Sequence, residues 1–436
     1  MAEVNIMYEL FISWICIAIF IFCIFKFDIL EPSLIIVLTT GISIFFAVIS
    51  IERWNLSVGM KTWFCLIGAL LSFVLSSYWC FKTIFKNKKC KINDIKKIYI
   101  VDNFKLILSI ILMLILVYFS VKEVYELSLA LGNTNGYSNM IKVVRPVIES
   151  NTVSFSRWMS YRQLIAQVIS YCYIFIFIFN VIYDKFSIFY LKFLIPLIIY
   201  IPFLILTTGR MSLLTLVIYI AVLSILLYQK KKGYSMKSKM KSIGILIVAG
   251  ICFISLFLIF GNFTGKVITD ERTPLVILSH YAGLSIPALD VGLNEVFVEN
   301  GYIGSTTLNG IYRSLNSIGF DGVSVQLFLP FVKFDGIDTN VYTAEYRYVK
   351  DFGYIGMFAI MWILGAIYTI LYNIVKFISN NEFLYIIYSS IIYPLFLTSI
   401  DERIFLDLIG TSIVYLLFSM FIGYKLIICN SRYIIK

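Results

Sequence analysis

Five arginines draw attention by position: Arg210, Arg272, Arg313, Arg347 and Arg403, each in a polar stretch beside an apolar run. A guanidinium stays charged at any cellular pH, and its planar fork of donors matches phosphate or carboxylate oxygens. Arg210 follows a glycine turn, where an interfacial helix anchor is the competing reading. Arg272 lies in Asp270-Glu271-Arg272-Thr273-Pro274, where a solvated ion pair competes. His280 is the single histidine, in an apolar stretch after Arg272. It could serve as a general base or be a hydrogen-bonded structural residue. Glu345, and Glu402 within Asp401-Glu402-Arg403, are further acid–base candidates. Asp335 and Asp338 are too sparse a pair for a metal site, so no metal and no other cofactor is expected. Asp351 reads as a helix N-cap, and Gly353, Gly356 and Gly365 read as allowing close helix contact.

The elements that must position these residues are membrane helices. Of the 436 residues, 60% are hydrophobic and only 14% charged, and the mean hydropathy is +0.91. That composition calls for a lipid solvent. Eleven apolar runs are long enough to cross about 30 Å of hydrocarbon as helix: 7–25, 33–51, 63–81, 104–121, 164–183, 188–206, 211–228, 243–260, 353–375, 383–400 and 404–424. Only helices or closed barrels satisfy the backbone in lipid, which makes the expected fold an all-α polytopic transmembrane bundle, residues 1–436 forming one integral membrane domain. The eight cysteines form no CxxC pair, and no cleavable leader is expected.

Orientation follows from lysine. Segment 82–103 carries seven lysines and segment 229–242 six. Four predicted helices separate them, so both fall on one side, which the positive-inside rule makes cytoplasmic. This accounts for the net charge of +11 without nucleic acid as a partner. Loops 122–163 and 262–350 are then external and the C-terminus cytoplasmic. The 89-residue loop 262–350 has nine acidic and six basic residues, and its apolar runs predict short helices on the membrane surface. Ionisable residues are confined to within about a turn of the predicted span ends. An ion-coupled pump is disfavoured by that empty midplane.

Three stretches carry a family resemblance: Thr207-Thr208-Gly209-Arg210-Met211-Ser212-Leu213-Leu214, Asn340-Val341-Tyr342-Thr343, and Asp351-Phe352-Gly353-Tyr354-Ile355-Gly356 with Gly365 beyond it. With the large late loop, they resemble the Wzy-type O-antigen and capsule repeat-unit polymerases. The resemblance implies a metal-independent glycosyltransferase of the bacterial inner membrane. It would join undecaprenyl-pyrophosphate-linked oligosaccharides at the external face, within a lipid bilayer and with a chain-length regulator as a further partner. It implies that Arg210, Arg272, Arg313, Arg347 and Arg403 bind the pyrophosphate, while His280, Glu345 and Glu402 are the catalytic candidates. Arg272 and Gly283 fit the Arg-x10-Gly pattern of some members, but loop 122–163 holds Arg145, Arg157 and Arg162 without a matching glycine.

Other readings stay open. A lipid-linked oligosaccharide flippase would be expected to have short loops and a polar passage. An O-antigen ligase shares layout and chemistry with the polymerases. A polyprenyl-phosphate-sugar transferase should show an acidic pair in its first external loop, yet 52–62 holds only Glu52. A membrane acyltransferase should place a histidine early in the chain. The topology has a direct check. A compartment reporter inserted in 229–242 should read cytoplasmic and one in 290–320 external, and a shared compartment would break the assignment.

Overall fold

The computed structural model describes residues 2–86, 88, 97–149, 154–184, 186–207, 211–263, 273–294, 303–320, 329–429 and 431–435. In chain order the first helices are α1 (Ala2–Ile24), α2 (Pro32–Val48), α3 (Ile51–Trp54), α4 (Met60–Cys80), α5 (Asn103–Ala130) and α6 (Met140–Glu149). Then come α7 (Arg157–Tyr183), α8 (Ile195–Leu206), α9 (Met211–Lys232), α10 (Met236–Phe263), α11 (Pro274–Gly283) and α12 (Ser285–Asn294). The last are α13 (Asn309–Ser317), α14 (Ala344–Asn373), α15 (Glu382–Ile391), α16 (Tyr393–Leu397), α17 (Ile404–Asp407) and α18 (Thr411–Gly423). Four short strands, β1 (Lys97–Ile100), β2 (Val332–Phe334), β3 (Ile337–Thr339) and β4 (Arg432–Ile435), make two antiparallel pairs, β1–β4 and β2–β3.

Among the described residues, ten helical stretches are long and apolar enough to cross a membrane, and the protein is an all-α, multi-pass membrane protein. The stretches differ from the expected runs at informative places. Pro32–Val48 and Glu382–Leu397 are apolar but shorter than a full span, whereas Pro274–Asn294, inside the expected surface loop, is long enough. That stretch is broken at Leu284. Pro287 has no N–H to give and its ring crowds the carbonyl of Gly283, which accounts for the break. Residues Ser285–Leu289 are buried, rather than lying on a surface.

The chain divides into two compact units. The first comprises residues 1–90, 270–379 and 391–414. Its axis is the contact of α4 with α14. Small residues on α4 let the two backbones approach: Ser72 Oγ donates to Phe358 O (3.1 Å), Ser76 Oγ to Trp362 O (2.6 Å) and Ser77 Oγ to Gly365 O (3.3 Å). Between apolar helices in lipid, such close packing and hydrogen bonding replace the hydrophobic drive. Asp290 of α12 closes the start of α4, its Oδ1 accepting from Gly59 N (2.7 Å) and Thr62 Oγ1 (2.6 Å). A carboxylate there meets both unpaired N–H groups and the positive helix end.

The second unit comprises residues 91–269, 380–390 and 415–436. Here α5 and α7 run past their predicted ends, so the loop expected over 122–163 is largely helix. Between them, α6 lays Met140 and Val144 against Val124, Met159 and Leu206. At the other end of α7, the Asn180 amide acts as a strand edge for β1: Tyr99 N donates to its Oδ1 and its Nδ2 to Tyr99 O, both at 2.9 Å.

The helix expected from 353 starts at Ala344 and breaks at Gly353 (φ 67°, ψ −177°). Its first half, Ala344–Phe352, is a separate helical piece. Asp351 is therefore not an N-cap as the sequence suggested. It sits at the end of that piece and accepts from Thr306 N and Thr307 N of the preceding turn. Only glycine takes the Gly353 conformation at low cost; another residue is strained by about 1–3 kcal/mol. Gly353→Ala should lower the thermal midpoint of the purified protein by several degrees and release the first half-helix. An unchanged midpoint would mean that the break is not imposed there.

Candidate functional site

The first half of α14, the α13 helix and the chain from Thr398 to α17 converge in the first unit. Ala344 N donates to Thr398 O (2.8 Å), which fixes the start of α14 to this chain. Gly310 of α13 lies against α17: a Cβ there would stand 2.4 Å from Phe405 O and 2.5 Å from Ile409 O. That close approach places Arg313, one turn on, where its Nη2 donates to Leu406 O (2.8 Å).

Three of the five expected arginines meet here. Arg347 is buried, 3% exposed. Its Nη1 donates to Thr306 O (3.0 Å), its Nη2 lies 4.0 Å from Asp401 Oδ1, and its Nε has no partner. Arg403 has closer carboxylates, with Nη2 2.8 Å from Asp401 Oδ2 and Nη1 3.8 Å from Asp407 Oδ2, though its Nε also has no partner. Those carboxylates hold its pKa above the usual arginine value against the opposing effect of burial. Arg313 feels Arg403 and Arg347 as like charges and Asp407 as an opposite one. Arg313 and Arg347 thus bond mainly to carbonyl oxygens, which satisfy a donor without cancelling charge. A guanidinium carries five N–H donors, so both keep capacity for an anion.

The carboxylates divide by environment. Glu402 is buried and serves the backbone: its Oε1 accepts from Ile404 N (2.8 Å), Phe405 N (2.9 Å) and Tyr348 Oη (3.1 Å), and its Oε2 from Leu406 N (3.2 Å). It therefore holds the first turn of α17. Glu345 is also buried, but its Oε2 has no partner. Asp407 pairs with Arg403 and accepts from Tyr393 Oη (2.8 Å). Tyr348, Tyr393, Thr306 and Thr307 were not singled out by sequence; the one available signal was the Arg347-Tyr348 pair beside Asp351.

The other expected site residues fall differently. His280 lies on α11 against the β2–β3 hairpin, its Nε2 3.1 Å from Asp338 O. Arg210 and Arg272 lie outside the described residues.

Burial pushes the Glu402 carboxyl up from 4.5 to about 7, against the lowering effects of the Phe405 N–H and Arg347. Between those values the folded chain holds a proton that the unfolded chain has released. The unfolded state binds fewer protons there, so stability falls as pH rises from about 4.5 to about 7 and levels above. Relative to Glu402→Gln, the wild-type melting midpoint should drop across that window. Parallel profiles would show a carboxylate that stays ionised throughout.

The chain matches no family model, no curated protein and no solved structure.

Proposed function

We propose that this protein is a membrane glycosyltransferase that polymerises undecaprenyl-pyrophosphate-linked oligosaccharide units into O-antigen or capsular polysaccharide, at the external face of the bacterial inner membrane. The observation that carries the reading is the convergence of Arg313, Arg347 and Arg403, with the buried Nε atoms of Arg347 and Arg403 left without a partner. A polyanion at a membrane face is the ligand such a cluster fits. The resemblance of the patches around Thr207, Asn340 and Asp351 to the Wzy-type polymerases supplies its identity.

In this reading Arg313 and Arg347 bind the pyrophosphate oxygens, and Arg403 is held ready by Asp401 and Asp407. The acceptor sugar hydroxyl attacks the anomeric carbon of the donor unit, forming the new glycosidic bond. The bond from that carbon to the pyrophosphate oxygen breaks, and the lipid pyrophosphate leaves with the electron pair. The arginines stabilise the charge as it builds. The hydroxyl proton goes to a carboxylate, and Glu345 is the candidate with an oxygen to receive it.

A charge-assisted contact to phosphate contributes about 1.5–3 kcal/mol, so losing one should slow turnover roughly tenfold or more. Lysine in place of arginine keeps the charge and loses the fork. In cells expressing Arg347→Lys or Arg313→Ala at wild-type level, the glycan ladder should collapse toward one repeat unit. Full ladders from both variants would remove the arginine cluster from the chemistry. In a deletion strain, accumulated lipid-linked polymer would identify a ligase, and loss of all external units a flippase.

A further inference from the structure

The opposite end of α14 holds a second charged cluster, which the proposed chemistry does not use. Asp28 is buried, and its two carboxylate oxygens accept from Tyr372 Oη at 2.8 Å each. It also forms an ion pair with Lys376. Three residues on stands Glu31, 2% exposed, at the N-cap position of α2 with no side-chain capping bond. Its Oε1 has no partner. The turn that delivers both acids is tightly set: Lys26 and Phe27 are left-handed (φ 52° and 58°), and Glu31 N donates to Asp28 O (2.9 Å). Non-glycine residues adopt that region seldom, so the surrounding packing must impose it.

Thr369 and Asn373 are fully buried; the Thr369 hydroxyl hydrogen-bonds the Glu31 carboxyl, and Asn373 Oδ1 has no partner. Asn373 turns its Nδ2 back to Thr369 O (2.8 Å), leaving its oxygen outward from that bond. The charged groups acting on Glu31 are Lys376 and Asp28, and the Thr369 hydroxyl lies beside it. Lys26 on the turn and Lys82 on the π turn after α4 are exposed.

We propose that Glu31 is a proton-binding site: at neutral pH it is a carboxylic acid hydrogen-bonded to the Thr369 hydroxyl of α14, and the folded chain gives up that proton only in alkaline solution. A proton fits better than a metal cation. Both Asp28 oxygens are already engaged, and the Lys376 ammonium repels a second cation. A metal would also need several oxygens at once, whereas a proton needs one acceptor. Burial pushes the Glu31 carboxyl up to about 8, with Asp28 adding to the rise and Lys376 opposing it. The sign follows directly. The folded chain keeps a proton that the unfolded chain loses above about 4.5, so stability declines with rising pH until about 8.

The test uses the full chain in lipid nanodiscs. The wild-type melting midpoint should fall relative to Glu31→Gln as pH is raised toward about 8, then stay level. Parallel profiles overturn the proposal. So does a wild-type midpoint that sodium chloride raises at high pH where choline chloride does not, because that marks a metal-cation site. Infrared titration of the wild type gives a second reading that needs no Glu31 variant. A protonated-carboxyl band should vanish with a midpoint near 8, and Thr369→Val should move that midpoint. A wild type lacking such a band, or a midpoint indifferent to Thr369→Val, also refutes it.

Discussion

The close approach of α14 to α4 is the constraint on which the first unit depends. Three serine hydroxyls of α4 reach main-chain oxygens of α14, and Gly365 would place a Cβ 2.5 Å from Phe73 O. In lipid an apolar side chain gains nothing by leaving hydrocarbon for another helix, so a contact this close must rest on packing and hydrogen bonds. Fixing the middle of α14 fixes both ends. Below the break at Gly353 the first half-helix presents Arg347, and at the far end Tyr372 and Lys376 meet Asp28. One helix thus carries two buried charged clusters without any charge in its central turns.

Membrane character was legible because the signal is long-range and redundant. Twenty apolar residues with lysine at one end need no tertiary information. The breaks were harder to read. Gly353 was visible as a glycine but not as the joint between two helices, because the charges of Glu345, Arg347, Lys350 and Asp351 before it interrupt the apolar run and hide the earlier start. Pro287 was in plain view, yet the segment around it has moderate hydropathy and was assigned to a surface. The depth of Ser285–Leu289 depends on α2, α4 and α14, which lie far away in sequence.

The site was legible in residue type and illegible in arrangement. The sequence singled out arginines between apolar runs, and Arg313, Arg347 and Arg403 meet in the fold. Their convergence depends on Gly310 lying against the carbonyls of Phe405 and Ile409, a contact across nearly a hundred residues that no local pattern encodes. Glu402 shows the same limit. Its spacing suggested an acid–base group, but its two oxygens hold three backbone N–H groups of α17. Those bonds arise only because the chain turns sharply after Arg403.

The two ends of α14 also differ in how their charges are matched, and that difference bears on purpose. Asp28 has every oxygen engaged, and Glu402 is wrapped by N–H donors that offset part of the cost of its burial. Arg347 is buried just as deeply, yet it bonds one carbonyl, stands 4.0 Å from its nearest carboxylate and leaves Nε without a partner. A buried donor without an acceptor costs about 1–3 kcal/mol, and an apolar side chain of similar size would remove that cost. Stability alone therefore does not account for an arginine at this position. In the proposed reading, a pyrophosphate that engages the remaining donors would offset that cost, converting unmet hydrogen-bonding capacity into binding affinity.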